Sequence, residues 1–121
     1  MSTQIKITAC DNEFILKAYQ TSGSYEIATI KSGNSNAVDV TITLQAGSYG
    51  GGVEANGVDA PLSESATVEL PAGTYYLVAV GINWGGPTNF KYSISGISLG
   101  TEQDSTTTGI VYTQPPFKVT V

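Results

Sequence analysis

The residues from Asn83 to Asn89, Asn-Trp-Gly-Gly-Pro-Thr-Asn, place the single tryptophan of the chain in an amide- and glycine-rich loop. Sugars are held when their apolar C–H faces lie on an aromatic ring and side-chain amides take their hydroxyls. Trp84 supplies such a ring, and Asn83 and Asn89 supply the amides. Loops are where binding side chains concentrate. Tyr49, among Gly47, Gly50, Gly51 and Gly52, adds a second platform if the two loops share one end of the molecule. The plainer reading of Trp84 is a large aromatic closing the end of a core.

Other chemistry is poorly supplied. Glycoside hydrolysis needs two acids facing each other across a cleft. Glu54 with Asp59, or Glu64 with Glu69, are candidate pairs, but ten acids in 121 residues make such pairs inevitable. A solvated face is the simpler account of them. Cys10 lacks a partner to make it a thiolate, because the chain contains no histidine. A buried structural thiol is expected. Asp11, Asn12 and Glu13, or Glu54, Asn56 and Asp59, offer the oxygen ligands that calcium accepts, yet neither run has the spacing of a calcium loop. Zinc is disfavoured by the single cysteine and the missing histidines. The expectation is a protein that is not an enzyme and needs no cofactor, with calcium permitted by chemistry alone.

Bulk composition narrows the partners. Ten carboxylates against five lysines leave a net charge of −5. Lys6, Lys17, Lys31, Lys91 and Lys118 are scattered and form no basic stripe, so neither nucleic acid nor an anionic membrane surface is expected. One cysteine excludes an internal disulfide framework. No apolar stretch approaches the length of a signal peptide or of a transmembrane helix. That reads literally as cytoplasmic synthesis, while the low charge, 12% of residues, and the many hydroxyls fit action outside the cell. The compartment stays open.

The elements that must position these residues are short strands. Ile5 and Ile7, then Phe14, Leu16 and Ala18, then Tyr25 and Ile27 alternate with polar neighbours. Val38, Val40, Ile42 and Leu44 form the clearest half-buried strand. Breaks fall at 31–36 and at 46–65, where Asn56-Gly57 is a favoured turn pair and a short strand near Val53 is expected. Residues 66–80 read as a β-hairpin, with Pro71-Ala72-Gly73 as its turn. Phe90, Tyr92 and Ile94 alternate again, continuing through Ile97 and Leu99 past a bulge at Gly96, before a polar turn at 101–109. Pro115-Pro116 confines the last crossing to an edge or a bend. The sum is one all-β domain over residues 1–121: an antiparallel β-sandwich of jelly-roll type with eight or nine strands.

Leu70 to Val80, Leu-Pro-Ala-Gly-Thr-Tyr-Tyr-Leu-Val-Ala-Val, followed by Phe90 to Ile94 and preceded by Val38 to Leu44, resembles the bacterial pre-peptidase C-terminal type domain. Carbohydrate-binding modules of similar build look alike. The resemblance implies a small jelly-roll-like sandwich of the kind appended to secreted hydrolases. It carries over no functional residue, and residues 1–20 lack the acidic entry segment that often supplies that family's calcium ligands. The expected function is a non-enzymatic, lectin-like module binding a glycan or cell-surface partner through Trp84, Asn83, Asn89 and Tyr49. The alternative is a protein–protein or self-assembly module, a homo-oligomeric subunit of a toxin or surface structure; an acid-pair hydrolase is the remote third.

Overall fold

The computed structural model describes residues 2–33, 37–103 and 107–121. The expected breaks at 31–36 and 101–109 therefore lie in part outside the described residues. Among the described residues eleven strands follow one another: β1 (Ser2–Asp11), β2 (Glu13–Gln20), β3 (Gly23–Ser32), β4 (Val38–Ala46), β5 (Val53–Gly57), β6 (Leu62–Leu70), β7 (Thr74–Asn83), β8 (Thr88–Ile94), β9 (Ile97–Gln103), β10 (Gly109–Thr113) and β11 (Phe117–Thr120). A five-stranded sheet runs β6-β4-β1-β8-β9, and a six-stranded sheet runs β10-β7-β2-β3-β5 with β11 also on the edge of β7. Their facing residues form one core cluster drawn from both sheets. Inward Phe14 of β2 meets Tyr92 and Phe90 of β8 at ring separations of 4.7 and 6.5 Å. The result is a sandwich-like all-β fold.

Two expectations about its build are corrected. Eleven strands replace eight or nine, and the sheets are mixed: β4 pairs β6, and β3 pairs β5, in parallel. Parallel neighbours need a crossover. The chain supplies it by visiting the opposite sheet between them, β5 between β4 and β6, and β4 between β3 and β5. Residues 66–80 are not a hairpin, because β6 lies in the five-stranded sheet and β7 in the six-stranded one. Pro71-Ala72-Gly73 is an arch between sheets. Its polar groups are met from elsewhere: Gly73 exchanges two backbone hydrogen bonds with Val121, Gly47 N–H donates to Leu70 O, and the Tyr75 hydroxyl donates to Pro71 O at 2.6 Å.

Turn chemistry is relocated in two further places. Ser95 and Gly96 have φ of 52° and 79° between paired Ile94 and Ile97, which makes them a two-residue hairpin turn and not a bulge. Asn56 and Gly57 end strand β5 against Lys31 and Ser32 instead of turning. The short strand at Val53 is present as β5, and β11 lies on a sheet edge as the prolines require.

Close backbone approach decides where glycine is needed. At Gly100, with φ of 121°, a Cβ would sit 1.8 Å from the Phe90 carbonyl oxygen. Gly50 has nothing within 4 Å of its Cβ position. Gly100→Ala is expected to cost more than about 2 kcal/mol, while Gly50→Ala stays within about 0.5 kcal/mol. Chemical denaturation of the two variants checks this; equal stabilities would refute the close approach.

Candidate functional site

Trp84 follows the last residue of β7, at the point where the chain crosses to β8 in the other sheet. Two buried asparagines hold that crossing. Asn83, 1% exposed, donates through Nδ2 to Gly86 O at 2.9 Å and to Thr107 O at 2.8 Å, and its Oδ1 accepts from Gly85 N–H at 3.3 Å. Asn12, also buried, accepts the Trp84 N–H on Oδ1 at 2.8 Å. Its Nδ2 donates to Ser32 O and to Asp11 Oδ1, both at 3.2 Å. The loop backbone is thus tied to both sheets while the Trp84 side chain stays 46% exposed. Trp84 does not close the core; its neighbours do.

The expected quartet is therefore divided. Asn83 is spent on the loop's own carbonyls and positions Trp84. Asn89 is half-buried at the start of β8, paired across the sheet with Asp11 and Glu102, and its shielded Oδ1 has no hydrogen-bond partner. Thr88 beside it is buried with an equally unpartnered Oγ1. Tyr49 lies elsewhere. Its ring is 4.8 Å from that of Tyr25, which is 6.1 Å from Tyr75 at the start of β7, and its hydroxyl donates to Glu26 O. A ten-residue strand such as β7 is about 30 Å long, so Tyr49 and Trp84 occupy opposite ends of the sandwich. The two loops do not share an end.

Beyond Asn89, the outer face of β8 leads into a groove of about 510 Å³ lined by hydroxyls and charges, among them Thr8, Lys91, Ser93, Ser98 and Glu102. Lys91 and Glu102 form an exposed ion pair at 3.6 Å across it. Among the acids, Glu54 and Asp59 are both exposed, and Glu64 and Glu69 stand five residues apart on β6, on opposite faces. Among the described residues, no group of three or more metal-ligating side chains converges. Nor is any helix long and apolar enough to cross a membrane among them.

Sequence reasoning missed the outer face of the six-stranded sheet. On β7, Tyr75, Leu77 and Ala79 fill the core, yet the alternate residues Tyr76, Val78, Val80 and Ile82 are apolar too. With Ile15 and Tyr19 of β2 and Ile110 of β10 they line two adjoining depressions. Tyr19, Tyr76 and Ile110 are 42, 45 and 67% exposed. The signal was available: a strand apolar on both parities is one that expects cover on both faces.

Two groups at the Trp84 end of the core generate predictions. Replacing Asn83 by Ala removes the two bonds that hold Gly86 O and Thr107 O and should cost about 1–3 kcal/mol, read as a lowered denaturation midpoint. Cys10 donates to Asn12 O and Ile30 O, both at 3.3 Å. Burial, then the charges of Asp11 and Glu13, push its thiol from 9.0 up to about 12. Between those values the unfolded chain has released a proton that the folded chain keeps, so this contribution is full below pH 9 and fades as pH rises toward 12. Burial raises the Tyr92 hydroxyl as well, in the same direction. Denaturation at pH 8 and pH 10.5 should show stability falling, with a shallower fall in Cys10→Val; an unchanged slope would sink the assignment to Cys10.

Comparisons with protein-family models, with curated proteins and with solved structures find no match to this chain. The resemblance to pre-peptidase C-terminal type domains thus rests on the three quoted segments, and one of them folds as an arch between sheets.

Proposed function

We propose that this chain is a non-enzymatic, jelly-roll-type β-sandwich that binds a glycan at the Trp84 end. The observation that carries the reading is a half-exposed tryptophan on a loop whose backbone is pinned by Asn12 and Asn83. A ring held in place in advance stacks on a sugar without first losing loop freedom, which favours affinity. Asn89 Nδ2 is the amide group left for ligand hydroxyls, since Asn89 Oδ1 is shielded, Asn83 is committed to the loop and Tyr49 is remote. The hydroxyl-lined groove that opens along β8 and β9 offers the ligand a path away from the ring. An acidic chain with scattered lysines supports a neutral sugar over nucleic acid as the ligand.

A glycan array read with labelled protein, in calcium and in chelator, tests the proposal. Specific binding is expected, reduced at least tenfold in Trp84→Ala with an unchanged melting temperature, as for a central aromatic contact. Equal signal in chelator would set calcium aside. Binding that survives Trp84→Ala intact, or an array without signal, would overturn the site.

A further inference from the structure

We infer that the outer face of the six-stranded sheet is the contact surface of a homodimer, two copies packing face to face about a two-fold axis that crosses the strands at Ile15. The face is apolar along β7, and Ile15 of β2 stands directly beside Val80 at its centre. Around Ile15 the charges are arranged with alternating sign. Glu13 pairs across the sheet with Lys31 at one end, and Lys17 pairs with Glu26 at the other. None of these four belongs to an ion pair among the described residues, where Lys91–Glu102 is the one found.

A second copy of the chain matches this pattern. A two-fold interface is self-complementary, so each residue meets the partner patch turned by the symmetry. Turning the face about an axis across the strands at Ile15 exchanges its two ends. Glu13 of one copy then comes over Lys17 of the other, and Lys31 over Glu26. The same rotation lays β7 on β7, apolar row on apolar row. An axis along the strands between β2 and β3 would also oppose unlike charges, but it would lay β7 on β5, where Glu54 and Asn56 are exposed. Apolar side chains would then cover charged ones. The transverse axis keeps β7 on β7 and opposes like charges only at Glu54, which is level with Ile15 through Thr29 and meets its own copy at the margin; the transverse axis is therefore selected.

Area sets the strength. Four strands about 4.8 Å apart, with about eight residues of about 3.3 Å each, give a footprint of roughly 500 Å². That is below the roughly 800 Å² per partner of a standard stable interface, and it fits a weak, reversible dimer. This surface is separate from the groove on the five-stranded sheet.

Sedimentation velocity on the full chain, from about 1 to about 500 µM, tests the inference over the range where such interfaces associate. A monomer–dimer equilibrium is expected. Lys17→Glu and Glu13→Lys should each weaken it at least tenfold, and the double variant carrying both should recover to within threefold of the parent. Val80→Lys should abolish it, with circular dichroism and melting temperature reporting whether that variant folds. A strict monomer throughout overturns the proposal. Dimers in which the double variant shows no recovery overturn the two-fold axis, whatever the glycan array shows.

Discussion

The cross-sheet contact of Phe14 with Tyr92 and Phe90 is the constraint on which the rest of the molecule depends. A sheet that buries one apolar face needs a second sheet to cover it, and these rings set where the two meet. Aromatic pairs of this kind contribute about 0.5–1.5 kcal/mol beyond the area they bury. Gly81 makes room for the Phe90 ring, whose atoms a Cβ at that position would meet at 2.8 Å. Tyr92 extends the seam through its hydroxyl to Tyr112, and both hydroxyls reach Gln114. The seam thereby ties β8 to the segment between β10 and β11, far along the chain.

Once the sheets are fixed, the chain must cross between them repeatedly, and each crossing exposes backbone groups that need partners. The two ends solve this differently. At the Pro71 end the partners are backbone groups of Val121 and Gly47 together with the Tyr75 hydroxyl. At the other end they are the buried amides of Asn12 and Asn83, with Ser32 and Thr88 completing a polar margin to the core. That difference gives the second end its interest. Side-chain amides hold a glycine-rich loop in one shape, and the tryptophan it carries faces solvent.

Much of the strand content was legible. Alternation located the inward faces of β1, β2, β4 and β8, because the two-residue period of a strand is local and is written directly in the residues. The buried thiol of Cys10 was legible from its residue type alone. Strict alternation would set it on the face opposite Ile5 and Ile7, and the register shift between Ile7 and Ala9 is what turns it inward. The candidate site was legible in part. Trp84 could be singled out by its loop, but the roles of Asn83 and Asn12 could not, because their partners lie up to 72 residues away. Tyr49 was misplaced on the same ground: composition says a residue is in a loop and is silent about which end of a sheet the loop occupies.

The sequence by itself determined an all-β chain, its core-facing residues, the acidic surface and the lack of catalytic histidine. These follow from residue types and short-range periodicity. Tertiary structure decided which strands are neighbours. Pro71-Ala72-Gly73 turns the chain equally well into a hairpin or into an arch, and the choice fell to the arch because β6 spends its backbone hydrogen bonds on β4 and β7 spends its own on β2, β10 and β11. It also left the second apolar face of β7 uncovered within the chain, an outcome that depends on what the other strands had already paired with.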